Sequence, residues 1–409
     1  MKTVHLSPGH AVRLLPGGTA FFPSLIEALD ASQTEVRLET YIFNFDATGE
    51  FVANALIRAA QRGVSVMVMV DGIGTPPLAD LWETRFEEAG VQWHRFLPLG
   101  WMGVVLPLRW RRLHRKLCVV DGLHVFCGGI NVIDDCIDLN YGALSSPRFD
   151  FAVKVTGPLV EEAHSTLEQF WLHVKLGQQM ERFQWKQLGL TFREALNQKA
   201  LSPKANASQT TKAERSHSAV WAALVLRDNL FHRSSIERTY RKAIGEAREE
   251  VLIASAYFLP GRKLRHALIH AAKRGVRVRL LLQGRYEYFI QLHGARMVYG
   301  ALLDAGVEIY EYTAGYLHAK VAVVDGHWAT VGSSNLDPLS MLLAHEANVV
   351  VEDAAFAQAL QSGILRALDQ QSLRVDPEGY KHRAWHARFL DLLALGLVRS
   401  VLFLMGSRY

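Results

Sequence analysis

The stretch "HRKLCVVDGLHVFCGGIN", residues 114–131, returns at residues 318–335 as "HAKVAVVDGHWATVGSSN". His114, Lys116, Asp121, Gly128 and Asn131 correspond to His318, Lys320, Asp325, Gly332 and Asn335, each pair 204 residues apart. Period-two spacing puts His114 and Lys116 on one face of a strand. A single such pair is ordinarily a solvated edge, but two copies at one unbroken offset make the chain a duplication. The likeness extends upstream, where "YIFNFDATGEFVANALIRAAQRGVSVMVMVDG" from Tyr41 parallels "YFLPGRKLRHALIHAAKRGVRVRLLLQG" from Tyr257.

Each copy has an α/β pattern. In the first, "EVRLETYIF" is a strand, Glu50 to Gln61 has apolar residues three and four apart, Gly63 stops that helix, and "VSVMVMV" is a buried strand. In the second, "EVLIASAYF", Leu264 to Lys273, Gly275 and "VRVRLLL" repeat the succession. Alternating strands and helices predict mixed sheets with helices on their faces. The expected organisation is a first half over 1–196, a flexible polar linker over 197–218, a second half over 219–376 and a C-terminal tail over 377–409. The first copy carries eight extra residues around "LPLGWMGVVLPLRWRR", Leu97 to Arg112.

Composition narrows the function classes. With 409 residues, 49% hydrophobic and 21% charged, the chain is globular, and its net charge of +5 favours anionic partners. Cys118, Cys127 and Cys136 form no CxxC pair, so neither a disulfide framework nor a zinc ribbon is indicated. Cys118 and Cys127 lie in apolar strands, as buried small hydrophobes do. Asp134, Asp135 and Asp138 lack histidines at ligand spacing and read as a solvated loop. No stretch has the length of a spanning helix, and the N-terminus lacks a signal-peptide pattern.

Two His-x-Lys pairs facing each other across a pseudo-twofold axis would make one site of two histidines, two lysines and two asparagines. One imidazole can be a nucleophile while the other is general acid and base, with the lysines on a phosphate's oxygens. Such chemistry needs no metal and no cofactor. The small residues before each asparagine are expected to let backbone approach the phosphate.

This pattern resembles the phospholipase D superfamily, and within it the short bacterial cardiolipin synthases without N-terminal membrane spans. "VLRDN" (225–229), "AYFLPG" (256–261), "AAKRGVRVRLLLQG" (271–284), "GVEIYEY" (306–312) and "VGSSNLDPLS" (331–340) carry the closer likeness. The resemblance implies a duplicated phospholipase D-like α/β fold with one active site between two mixed-sheet halves. It implies phosphatidyl transfer between two phosphatidylglycerols with release of glycerol, through a phosphohistidine. The carry-over makes His114 the nucleophile and His318 the general acid/base, with Lys116, Lys320, Asn131 and Asn335 on phosphate. Asp150 and Glu346 are the acids that orient the histidines, in an order that stays open. Asp121 and Asp325 belong to the catalytic signature, supporting the loop and lysine rather than touching substrate. The implied setting is peripheral, at the cytoplasmic face of a bacterial cell membrane, with no nucleic-acid partner and an undetermined oligomeric state. Alternatives are a hydrolase or a transphosphatidylase with another acceptor, a superfamily nuclease, and a non-catalytic membrane scaffold.

Two segments bear on lipid contact. Phe389 to Met405, "FLDLLALGLVRSVLFLM", places Arg388, Asp391 and Arg399 within about 80° on a helix, leaving a wide apolar face suited to a membrane interface or to packing on protein. The apolar stretch before Arg109, Arg111 and Arg112 is either a second lipid contact, with those arginines on lipid phosphates, or a cover over the site.

Overall fold

The computed structural model describes residues 4–98, 110–181, 220–228, 232–285, 289–337, 343–383, 389–391, 393 and 396. The linker expected at 197–218, the apolar insertion from 99 to Arg109 and most of the 377–409 tail beyond 383 lie outside the described residues.

The first half runs β1 (Ser7–Pro16), α1 (Gly17–Ala31), β2 (Glu35–Thr40), α2 (Ala47–Gln61), β3 (Ser65–Asp71), α3 (Asp80–Ala89), β4 (Gln92–Phe96), β5 (Arg112–Leu113), β6 (Leu117–Val120), β7 (His124–Gly128), the small pair β8 (Ile137–Asp138) and β9 (Gly142–Ala143), β10 (Phe151–Thr156) and α4 (Leu159–Glu181). The second runs β11 (Val220–Arg227), α5 (Ser235–Glu246), β12 (Glu250–Ser255), α6 (Arg262–Lys273), β13 (Arg277–Gln283), α7 (Phe289–Leu303), β14 (Glu308–Tyr312), β15 (Lys320–Val324), β16 (Trp328–Gly332), β17 (Ala344–Glu352), α8 (Ala354–Gln371), β18 (Ser372–Arg374) and α9 (Pro377–Lys381).

Local chemistry explains why the halves match. After β1 and β11 each half builds a buried strand: β12 is largely aliphatic, whereas β2 alternates Val36, Leu38 and Thr40 with Arg37 and Glu39, whose charges are paired with Glu35 and Arg115. Asp46 caps α2 by accepting from the Gly49 N–H at 2.9 Å. Gly63 and Gly275, both at φ 90, end α2 and α6 in the left-handed region that favours glycine. Chain reversal then delivers β3 and β13 parallel to β2 and β12.

The strand order is β18-β14-β13-β12-β15-β16-β17-β11-β1-β10-β7-β6-β2-β3-β4. It reads as mirror images about the antiparallel seam of β1 with β11, where Ser7 faces Ala222 and His10 faces Val220. That is the pseudo-twofold relation of a duplicated fold.

Three apolar layers hold it together. Phe21, Leu25, Val52 and Leu56 from α1 and α2 pack on Val36, Val68 and Cys118. Ile236, Tyr240, Leu264 and Leu268 from α5 and α6 do the same on Val251, Val278 and Ala322. Between the halves lies a shared core joining Val119, Val125 and Val153 to Val321, Val323 and Val349, flanked by α4 and α8. At roughly 1.5–3 kcal/mol per buried aliphatic side chain, this shared layer ties the two copies into one folding unit.

The described start of the tail packs on the second half. The Tyr380 hydroxyl donates to the Arg296 carbonyl, and Asp391, buried, lies 2.7 Å from His293 and 3.0 Å from Arg383. Asp391 is therefore held against α7 and the segment that follows α9, whereas Phe389 and Leu393 are 58% and 47% exposed. No described helix is long and apolar enough to cross a membrane.

Candidate active site

Both histidines are held by the opposite half, at two points each. The His114 N–H donates to the His345 carbonyl at 3.1 Å, and His114 Nδ1 lies 3.0 Å from the carboxylate of Glu346, the next residue. The His318 N–H donates to the Phe149 carbonyl at 2.9 Å, and His318 Nδ1 lies 2.6 Å from Asp150, again the next residue. The order left open by the sequence is thus crossed: the second half's acid serves the first half's histidine, and the reverse. A third anchor precedes each histidine. The Leu113 N–H donates to Asp71 Oδ2 at 2.8 Å, and the Leu317 N–H to Gln283 Oε1 at 3.3 Å. With Nδ1 engaged by a carboxylate, Nε2 is the imidazole atom left to act on a substrate.

The lysines complete the cluster. Lys116 and Lys320 are buried, and each ammonium donates to the carbonyl of its own histidine, at 2.9 Å for Lys116. Lys116 also sits 5.4 Å above the Tyr41 ring, which lies 4.9 Å from His114. Asn131 accepts from the Ile42 N–H at 3.1 Å, and the Asn335 Oδ1 is buried without a partner. Among the described residues neither asparagine's NH₂ group donates to a protein atom, which suits both to an anionic ligand.

Burial and charge make the two His–acid pairs unequal. Burial lowers His114, with Lys116 and Lys320 adding to the effect and Glu346 opposing it. His318 is held well below its ordinary value by burial and by Lys320, Lys116, Arg148 and His114. Burial pushes Glu346 up, but His114, Lys116 and Arg227 outweigh it and hold the carboxylate below its usual range. Asp150 is pushed up to about 7 by burial, against Lys320 and the Phe151 N–H. The Asp150–His318 pair therefore keeps one proton to near neutrality, whereas Glu346–His114 is a carboxylate beside a neutral imidazole. Burial also brings Lys116 down to about 7.

Other expectations need correction. Asp121 and Asp325 follow the far ends of β6 and β15, roughly 20 Å of extended chain from the histidines. Each is in the left-handed region, at φ 54 and 49, and accepts backbone N–H groups of Gln33, Thr34 and Glu35, or of Arg248, Glu249 and Glu250. They support a loop, as expected, by bracing the turn before β2 and β12, but they touch neither lysine. The small residues before the asparagines make room for protein: a Cβ at Gly129 would lie 2.3 Å from Asp150, and one at Gly332 2.3 Å from Asn348. Arg112 does not face lipid but pairs with buried Asp71 at 3.1 Å. The aspartates of 134–138 are partnered rather than solvated. Asp134 accepts from Thr48 and from the Cys136 N–H, Asp135 from the Gly18 N–H, and Asp138 pairs with Arg148. Among the described residues no cluster of three or more His, Cys, Asp or Glu suits a metal. Cys118 and Cys127 are buried, their thiols pushed up to about 12.

Several contributors escaped the motif. Asp71 and Gln283 were visible as the equivalent "DG" and "QG" that close β3 and β13. Arg115 with Glu39, Ser333 and Arg227 had no signal of their own, because each acts through residues distant in sequence. Arg115 pairs with Glu39 at 2.8 Å inside the first half, and the Ser333 hydroxyl donates to Glu346.

A family described as "Cardiolipin synthase, PLD-like domain" matches residues 25–148 and 240–367, one segment in each half. Cardiolipin synthase B of Escherichia coli strain K12 is 36% identical over 398 residues, covering 97% of this chain and 90% of that protein. A probable cardiolipin synthase of Bacillus subtilis is 26% identical over 91% of this chain and 68% of its own length. The fold matches that of phosphatidylserine synthase from Haemophilus influenzae, with a TM-score of 0.65 at 14% identity over 97% of this chain and 95% of that one. Both copies of the His-x-Lys motif lie in or beside matched segments of a chain that aligns almost end to end with its relatives, and it belongs to the family of phospholipase D-like cardiolipin synthases.

Proposed function

We propose that the protein moves a phosphatidyl group from one phosphatidylglycerol to another, making cardiolipin and glycerol through a covalent intermediate on His114. The observation that carries this reading is the crossed pairing of His114 with Glu346 and His318 with Asp150 around two buried lysines. His114, neutral and oriented by an anionic carboxylate, attacks phosphorus through Nε2. The bond from phosphorus to the glycerol oxygen breaks, and that oxygen takes the proton held by the Asp150–His318 pair. The second phosphatidylglycerol's hydroxyl then gives its proton back to His318 and displaces the phosphoryl group from His114. Lys116, Lys320 and the NH₂ groups of Asn131 and Asn335 bind the non-bridging oxygens. A bound phosphodiester anion between the lysines offsets the repulsion that lowers His318, so substrate itself favours the protonated acid.

The setting is peripheral, on the anionic cytoplasmic face of a bacterial membrane, with lipid rather than nucleic acid as substrate. The +5 net charge and the exposed Phe389 and Leu393 beside the docked Asp391 support lipid contact. The test is labelled phosphatidylglycerol in mixed micelles with purified protein, followed by lipid analysis. Cardiolipin and glycerol are expected in equal amounts, and His114→Ala or His318→Ala should lower the rate by more than about a thousandfold. Phosphatidic acid alone would make the enzyme a hydrolase, and no lipid turnover would sink the reading.

A further inference from the structure

Arg227 ends β11 directly opposite Glu346 in the antiparallel ladder with β17, so both side chains stand on one face of the sheet. Its side chain is almost wholly buried, at 2% exposure. One nitrogen, Nη2, donates to the Ala344 carbonyl at 3.0 Å, while Nε and Nη1 have no hydrogen-bond partner. A buried guanidinium with two idle donors is costly unless its charge is used. Its charged neighbours are Glu346, Asp337 and Asp228, with His345 beside it. The charged or polar groups facing Glu346 are His114 and Lys116 from the first half, Arg227 from β11 and the Ser333 hydroxyl.

The pseudo-twofold axis supplies the control. The residue of the first half equivalent to Arg227 is Gly17, which follows β1 and whose N–H donates to the Asp150 carbonyl at 2.9 Å. Gly17 has φ 68, where a larger side chain would be strained, so this position cannot give Asp150 the guanidinium neighbour that Glu346 has in Arg227. The groups facing Asp150 are His318, Lys320, Lys116 and Asp135.

We propose that Arg227 is a positioning residue that holds Glu346 as an anion against His114 and thereby makes His114, not His318, the nucleophile. This rests on the covalent route above. The difference in proton affinity between Glu346 and Asp150 agrees with it.

The test is the pH profile of kcat for lipid turnover in wild type, Arg227→Met and Arg227→Lys, with the phosphatidyl adduct on His114 quantified by mass spectrometry. Removing the cation favours protonation of both Glu346 and His114, so the acid limb of the Met variant should move up by about one pH unit. Lysine should return it to the wild-type position, and adduct on His114 should fall severalfold, up to about tenfold, at pH 6 in the Met variant alone. A merely structural arginine would lower activity evenly across pH. If Arg227→Met does not fold, Arg227→Gln, which keeps donors without charge, gives the same reading. Acid limbs that coincide between the wild type and the uncharged variant would overturn the role of Arg227. No adduct in wild type would instead bring down the covalent route, while the pH profiles would still decide whether Arg227 sets the ionisation of Glu346.

Discussion

The two halves share a backbone plan but not its polar fittings. Both brace the same turn with an aspartate, and both deliver a His-x-Lys pair at the start of a central strand. Yet the first half buries the Arg115–Glu39 pair where the second has Ala319 and Ala254, and it uses Asp71 where the second uses Gln283. The second half places Arg227 where the first has Gly17. A symmetric site would hold two interchangeable histidines, whereas here burial and the surrounding charges, Arg227 among them on the Glu346 side, leave one pair anionic and the other holding a proton. On the proposed mechanism, duplication built the site and divergence of its supporting residues divided the labour within it.

The comparison is broken most severely by exchanging carboxylates for amides. Glu346→Gln should lower kcat about a hundredfold, because His114 loses the anion that stabilises its cationic phosphorylated form. Asp150→Asn should cost about tenfold and remove the basic limb due to the Asp150–His318 pair. Equal losses measured side by side would mean that the two histidines are equivalent.

A smaller effect is expected from pH. The Asp150–His318 pair and the Lys116 ammonium both lose their proton near 7. Both changes act in one direction, since the first removes the general acid and the second a phosphate-binding cation. In kcat/KM assays activity should therefore fall as pH rises through about 7 to 8. A profile flat to pH 9 would contradict the assignment.

The smallest test concerns stability alone. Breaking the buried pair with Glu39→Ala should cost about 3–5 kcal/mol in denaturant unfolding, because it strands the Arg115 guanidinium. Adding Arg115→Ala, which copies the second half's alanines, should recover part of that loss. A double variant as unstable as the sum of the singles would show that the pair has no coupling.

The duplication, the α/β succession, the helix stops at Gly63 and Gly275 and the family were all legible in the chain itself. Period-two and 3.6-residue patterns, glycine at positive φ and a motif repeated at one offset are local or translational signals. The roles of Asp121 and Asp325 were less legible, because a residue inside a signature can be there for a turn rather than for chemistry. The fate of Asp391 was equally hidden, since an amphipathic segment reads the same whether its polar side meets water or an ion pair with His293 and Arg383.

What only the tertiary structure decided is which partners meet. The crossed pairing of Glu346 with His114 and Asp150 with His318 depends on strands brought together across the β1–β11 seam, and the place of Arg227 opposite Glu346 on the pairing of β11 with β17. By itself the sequence determined that there are two of everything. Only folding decided that the two are not alike, because the field at each histidine is set by burial, by the neighbouring lysine and by an acid 232 or 168 residues away in the chain.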